Sequence, residues 1–484
     1  MDLDTYQARL KAGEIDYSDK WYVMAAVGMG VFLATIDGSI VNVALPTLER
    51  AYNTTFPIVQ WVVLAYLLTV TTLMLSVGRV ADMIGKKNIY ASGFVIFTLG
   101  SVLCGLAPSV YWLVGFRVVQ AVGAAMIMAL GTAIITEAFP SSERGKALGI
   151  SGSIVSLGIV IGPTLGGLLI QALSWHWIFF VNLPVGILGT WMALRYVPAV
   201  LPGARQRFDF IGALLLFISL LSLLLGLTIG QNQGFGDPAV LGLLAIFAGG
   251  LAVFIRIELR QDQPMIDLRL FQNRTFSINL TTAVLVFVCI AGTFILMPFY
   301  LENVLGYDPR QTGLMLAVVP VMLGISAPLS GIISDRVGTR LISTLGLGIL
   351  LVGYLAVSTL STQTTTLGYM LRFIPVGLGI GIFQSPNNSA IMGTAPRERL
   401  GIASGILAVS RTLGQTAGIA ILGAIWSSLA LHYAGGWIPG GATQATAAIQ
   451  VAALRVTLLV VSGVVTAALA ISLWALKSSY EERV

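Results

Sequence analysis

Three features of the sequence predict an all-α polytopic membrane fold. Apolar residues fill 56% of the 484 positions and charged residues only 10%, against about 25% charged in soluble domains. Apolar segments of about 20 residues recur along the chain, each long enough to cross roughly 30 Å of hydrocarbon. Motifs in one half of the chain also return in the other. The segments number fourteen and divide into two six-helix bundles with two further helices inserted between them.

Taken in order, residues 1–20 mix Asp2, Asp4, Glu14, Asp16 and Asp19 with Arg9, Lys11 and Lys20. This is unlike the basic start of a cleaved signal peptide, and a short cytoplasmic leader is expected. The N-terminal bundle, 21–200, holds spans near 22–44, 58–78, 88–107, 110–133, 148–170 and 177–197. Residues 201–262 form a linker with two extra spans near 210–230 and 238–257, a hairpin set between the basic residues Arg205, Arg207, Arg256 and Arg260. The C-terminal bundle, 263–476, holds spans near 276–299, 311–333, 340–360, 367–392, 401–429 and 453–476, followed by a cytoplasmic tail, 477–484. An even number of spans places both termini on one side. Of the 27 Lys and Arg, only Arg50, Arg310 and Arg455 fall on the other side, and Arg117, Arg372 and Arg411 fall inside spans. That asymmetry predicts cytoplasmic termini in a cell membrane, the inner membrane in a bacterium.

The repeat has an offset of 253 to 255 residues: Gly78, Asp82, Gly85 and Lys87 return as Gly331, Asp335, Gly338 and Arg340, and Arg117 returns as Arg372. Two bundles in parallel orientation, with a site between them, make an alternating-access carrier. In the loop element, Asp82 stands beside Gly85, which permits a tight backbone, and beside Lys86. Charged groups that exchange partners between two packings act as a bistable latch, so Gly78, Asp82, Gly85, Lys86, Asp335, Arg336 and Gly338 are expected to form a cytoplasmic gate.

A charge inside a span costs roughly 2.5–3.5 kcal/mol on insertion scales and persists when paired, hydrated or functional. Asp37 lies about 24 Å along a helix entering from the cytoplasm, and Arg117 about 10 Å down one entering from outside. The two therefore reach similar depths and are expected to pair. A pair that opens and closes lets the acid exchange a proton, whereas a static pair would be purely structural. Arg411 lies near the midplane with Ser404, Gln415 and Gly418 on the same face, while Gln384, Asn387 and Asn388 flank Pro386. Arg372 is nearer an outer end and can snorkel.

Between Lys146 and His176 no charge occurs. Within that stretch Gly158, Gly162 and Gly166 recur every fourth residue on one helix face, where a neighbouring helix can approach closely. Pro163 removes a backbone donor and predicts a kink. Spacing of this kind is also common as plain packing.

Other classes of function find little support. Cys104 and Cys289 both lie in apolar segments, so no disulfide framework is expected. The only histidines, His176 and His432, lie in separate loops, and no phosphate-binding glycine loop is present. No metal or cofactor is therefore expected, and the chain is not read as an enzyme. A membrane-embedded enzyme, which would need a convergent nucleophile or metal cluster, stands as the alternative from another class. The net charge of +6 is distributed as a topology signal rather than as a nucleic-acid patch.

Nearly the whole chain, about 20–476, resembles the fourteen-span drug:proton antiporter branch of the major facilitator superfamily. The resemblance is carried by Ile36, Asp37, Asn42 and Pro46 in the first span, Gln60, Trp61 and Tyr66 in the second, and the Gly78 to Lys87 loop. Further matches are Arg117 and Gln120 in the fourth span, Gly149, Gly158, Gly162, Pro163, Gly166 and Gly167 in the fifth, and Trp175 through Asn182 to Pro184. It implies the major facilitator fold, proton coupling at Asp37 and Arg117, and an antiporter helix at the fifth span, a mark of exporters. Trp61, Tyr66 and Gln120, together with Gln384, Asn387, Asn388, Arg411 and Gln415, are expected to line the substrate cavity. The chain departs from the pattern at Ala121 (usually glycine), Met83 (usually basic) and His176 (usually arginine). It also carries no acid between Phe276 and Leu301 or between Leu367 and Met392, so dicationic substrates are less expected than monocationic, neutral or anionic amphiphiles. The expected function is a monomeric, proton-coupled exporter of small amphiphilic compounds or drugs. Export of an endogenous lipid or metabolite on the same fold is the alternative.

Overall fold

The computed structural model describes residues 18–140, 143–199, 210–261, 268–394 and 400–481. Among the described residues, fourteen helices are long and apolar enough to cross a membrane. In chain order they are α1 (Lys20–Ala51), α2 (Trp61–Ile84), α3 (Lys86–Gly105), α4 (Val110–Ala138), α5 (Arg144–Ala172) and α6 (Trp177–Tyr196). The inserted pair is α7 (Phe210–Gln233) and α8 (Pro238–Glu258). The last six are α9 (Arg274–Phe299), α10 (Pro309–Val337), α11 (Thr339–Val357), α12 (Thr366–Thr394), α13 (Leu400–Tyr433) and α14 (Ala447–Glu481).

Several helices outrun the expected spans, because hydropathy marks only the part in hydrocarbon whereas the hydrogen-bonded ladder continues until a breaker stops it. Thus α1 passes through Pro46 to Ala51 and ends where Asn53 takes a left-handed φ of 49°, a conformation Asn tolerates. The expected tail from 477 is likewise helical as far as Glu481, since the segment contains neither Gly nor Pro. Helix α5 runs unbroken through Pro163. The expected domain boundaries near 200 and 262, and most of the leader, lie outside the described residues.

Packing repeats along with the sequence. In the first six helices α1 packs on α5 and α6, α2 on α4, and α3 on α4 and α6; in the last six α9 packs on α13 and α14, α10 on α12, and α11 on α12 and α14. Glycines allow the closest of these approaches. Gly93 of α3 lies against the Gly123 carbonyl of α4, and Gly346 of α11, 253 positions later, lies against the backbone of Phe383 in α12. Two glycines are also demanded by backbone angles. Gly85 (φ 102°, ψ 131°) joins α2 to α3, and Gly338 (φ 103°, ψ 139°) joins α10 to α11, in a region that residues with a Cβ rarely enter.

The halves meet through α2 with α13, α5 with α10, and α1 with α9. Of the inserted hairpin, α7 touches both α2 and α13, while α8 is largely exposed and apolar. Large apolar side chains such as Leu99, Trp112, Ile187, Ile332 and Leu371 lie on the outside, where lipid rather than water is their solvent. The near face is the one on which α1 begins and α14 ends, and the far face is its opposite.

Candidate functional site

Asp37 and Arg117 meet inside the first bundle. Arg117 Nη1 donates to Asp37 Oδ2 at 2.6 Å, and both residues are 0% exposed. Three further helices complete the cluster. Gln120, one turn along α4 from Arg117, donates through Nε2 to Asp37 Oδ1 (2.8 Å) and to Ser101 Oγ of α3 (2.7 Å), while its Oε1 accepts from Arg117 Nη1 at 2.6 Å. Asn182 of α6 donates to Asp37 Oδ1 at 3.1 Å and to Ser101 Oγ at 3.3 Å. From α2 the Val62 carbonyl accepts from Arg117 Nε at 2.9 Å, and the Tyr66 ring lies 4.1 Å from the guanidinium carbon, within cation–π range. The carboxylate thus accepts three hydrogen bonds, and the guanidinium has a carboxylate, an amide, a carbonyl and an aromatic face around it. Such full provision is what makes a buried ion pair tolerable.

Ser101 and Asn182 were not anticipated as site residues, although Asn182 lies in one of the motifs. A neutral polar side chain in a span is too cheap to stand out as a charge does. Asn182 sits where the first turn of α6, Trp177–Phe180, passes into its main stretch, Asn182–Tyr196, and a polar residue at such a break was the available signal. Three residues expected to line a cavity are placed otherwise. Gln120 is fully buried as the bridge just described, Tyr66 is buried beneath Arg117, and Trp61 Nε1 donates to Thr228 Oγ1 of α7 at 3.0 Å.

The glycines of α5 have two partners. Gly158 faces Thr35 of α1, Gly162 faces Ser39 and Gly166 faces Ile40, so the stripe is seated on the turn that carries Asp37. Ser39 Oγ, within hydrogen-bond distance of the Thr35 and Ile36 carbonyls of its own helix, also reaches the Gly158 carbonyl across the contact, at 3.1 Å. On the other side, Pro163 and Gly167 meet α10 of the second bundle: the Pro163 carbonyl abuts Gly313, and Gly167 abuts the backbone at Pro309 and Arg310. A Cβ on any of these glycines except Gly149 would overlap a neighbour. Gly149 is exposed with nothing near it.

At the far face the halves are tied together. Glu49 Oε1 accepts from Thr443 Oγ1 at 2.5 Å, Arg50 pairs with Glu302 at 2.5 Å, and the Phe56 ring packs on Phe299 (5.1 Å) and Trp426 (5.2 Å). At the near face, the ion pairs among the described residues stay within the first bundle: Lys20 with Glu143 at 2.7 Å, and Lys86 with Glu137. Gly78 is half-buried, Asp335, Arg336 and Gly338 are exposed, and the Asp82 side chain lies outside the described residues.

In the second bundle Gln384, Asn388, Arg411 and Gln415 are half-buried, Asn387 is buried and donates to the Asn279 carbonyl at 3.1 Å, and the Ser404 side chain lies outside the described residues. Arg411 carries its guanidinium 5.2 Å from the Phe287 ring centroid. Arg372, the repeat counterpart of Arg117, turns to the far face, where it donates to Thr359 Oγ1 at 2.9 Å and to the Gly368 carbonyl at 2.8 Å.

Comparison with known proteins agrees with this architecture. The chain is 35% identical over 413 residues to the riboflavin transporter RibZ of Clostridioides difficile, covering 84% of this chain and 88% of that one. It is also 35% identical to the multidrug resistance protein Stp of Mycobacterium tuberculosis, covering 84% and 77%, and 33% identical to the uncharacterized transporter YebQ of Escherichia coli, covering 93% and 98%. Among solved structures, a bacterial homolog of the human lysosomal transporter Spinster superposes with a TM-score of 0.69 at 18% identity, over 95% of this chain and 98% of that one. The relatives are transporters, several named for multidrug resistance, and not enzymes. Residues 27–419 match the Major Facilitator Superfamily, and the chain belongs to that family as a multi-pass membrane transporter.

Proposed function

We propose that this transporter is a proton-coupled exporter of small amphiphilic compounds, working as a monomer by alternating access, with its termini in the cytoplasm of a bacterial cell. The observation that carries the reading is the placement of Asp37. Its carboxylate is 0% exposed, and the glycine stripe of α5 is packed on the same turn of α1. A proton can reach the carboxylate only when the surrounding helices part, and α5 is the helix that also touches the second bundle through Pro163 and Gly167. Protonation and the rocking of the bundles, 21–200 against 263–476, therefore share one mechanical element. The far-face ties close one entrance, and the near-face loops around Gly85 and Gly338 form the cytoplasmic gate that exchanges its charge pairs when the other entrance closes. Gln384, Asn387, Asn388, Arg411 and Gln415 supply the polar groups of the substrate path.

A proton entering down about 100 mV and one pH unit supplies roughly 2.3 plus 1.4 kcal/mol, enough for several-hundred-fold uphill export of a neutral substrate. Export of an endogenous metabolite on the same machinery is the second reading, favoured by the relative named as a riboflavin transporter. Substrate-induced proton release from the purified protein tests the coupling. The wild type is expected to release protons and Asp37→Asn to release none while still binding substrate. Equal release from both would remove Asp37 as the coupling site.

A further inference from the structure

Arg411 is a charge in the membrane interior without a counter-ion among the described residues. It stands eleven residues after the start of α13 and Phe287 thirteen after the start of α9, about 16 and 20 Å from the near face at 1.5 Å per residue, close to the midplane. Among the described residues its guanidinium makes no hydrogen bond or ion pair, and its Nε is shut off from solvent without a partner. Among the described residues the second bundle offers no acid that reaches it. Glu302 is taken by Arg50, Asp308 caps α10 at the far face, and Asp335 is exposed at the near face. Helix α2, which packs on α13 from the first bundle, carries no acid between Trp61 and Ala81.

The surroundings are built rather than accidental. One turn beyond Arg411, Gly414 and Gly418 bring α13 against the backbone of α9 at Val284 and Val288. That approach sets the Phe287 ring beside the guanidinium, and Gln415 follows on the same side of α13, half-buried. A cation on an aromatic face gains some stabilisation, but an unpaired guanidinium in low dielectric still lacks an anion.

We infer that Arg411, with Phe287 and Gln415, forms a subsite for an anionic group borne on a flat aromatic body, so that the preferred substrates are monoanionic or strongly hydrogen-bond-accepting aromatic amphiphiles. The planar guanidinium forks onto a carboxylate, sulfonate or acidic imide in two parallel hydrogen bonds, and the attached ring continues the stack that Phe287 begins. A dication placed there meets a bare positive charge. The inference rests on the carrier reading above, because the subsite must open to the substrate path in some state of the cycle.

The test uses one aromatic scaffold carrying in turn a carboxylate, a neutral amide and a quaternary ammonium group, with binding measured on the full chain in nanodiscs and transport in proteoliposomes. Wild type is expected to bind the carboxylate most tightly. Arg411→Ala should lose about tenfold or more for that compound while the ammonium compound is unchanged or improved, and Arg411→Lys should keep part of the preference because it keeps the charge but not the fork. A wild type without anion preference, or an alanine variant weakened equally for all three compounds, overturns the subsite. Anion-selective binding without proton-driven transport would instead sink the antiport reading and leave the subsite standing.

Discussion

Arg117 and Arg411 are both arginines in the middle of a membrane protein, and the two bundles treat them differently. Arg117 is held by Asp37, Gln120, the Val62 carbonyl and the Tyr66 ring, whereas among the described residues Arg411 has only the Phe287 ring. The repeat sharpens the contrast. The positions 253 to 255 residues after Asp37 are Ile290, Ala291 and Gly292, so the second bundle has lost the acid, and the repeat copy of Arg117, Arg372, turns to the far face. Two bundles of common packing thus differ in where charge is satisfied internally and where it is left for something else. On our reading the first bundle handles the proton and the second the substrate.

The largest effect is expected where the proton cluster meets the moving contact. Gly162→Leu places a side chain against Ser39 and the Ile36 carbonyl of α1, and overpacking a close helix contact is costly. Transport should fall by about tenfold or more while substrate affinity changes by less than about twofold, both measured on one preparation. Loss of both by the same factor would mean that the stripe is packing alone.

A smaller effect should follow Asn182→Ala. It removes one of three hydrogen bonds to the Asp37 carboxylate and leaves those from Arg117 and Gln120 in place. The rate of proton-driven transport in proteoliposomes should fall by no more than about fivefold, the equivalent of about 1 kcal/mol for one hydrogen bond. A loss as large as that of an Asp37 substitution would make Asn182 an essential member of the cluster rather than one donor of three.

The smallest effect is expected at Arg372. Its partners are Thr359 and a backbone carbonyl at the far end of α12, and such a side chain snorkels to the interface. Arg372→Ala should change transport by less than about twofold. A loss comparable to that of an Arg117 substitution would restore functional symmetry between the bundles.

Some of the site was legible from residues alone. Asp37 and Arg117 stood out because charge in a span is costly, and counting rise per residue put them at one depth before any contact was known. Ser101 and Asn182 did not stand out, because each is neutral and its partners lie far along the chain: the Asn182 amide spans 145 positions to Asp37. Gln120 and Tyr66 were assigned to a cavity wall because helices α2 and α4 bury polar groups on more than one side, and periodicity does not say which side faces a neighbour and which a path. Gly158, Gly162 and Gly166 do lie on a close-contact face, but the identity of the helix they touch was not in their spacing.

The sequence by itself determined the class of fold, the fourteen spans, the internal repeat and the Gly85 and Gly338 turns, because hydrophobic length and glycine-only backbone angles are local properties. Tertiary structure alone decided that α5 sits on the Asp37 turn of α1 with its other edge on α10, that Gln120, Ser101 and Asn182 close around the carboxylate, and that Arg411 is set beside the Phe287 ring. These depend on which helix faces meet across the bundle. Inside a membrane protein many helix faces are apolar, so the choice among them is made by the close packing of particular side chains rather than by hydropathy.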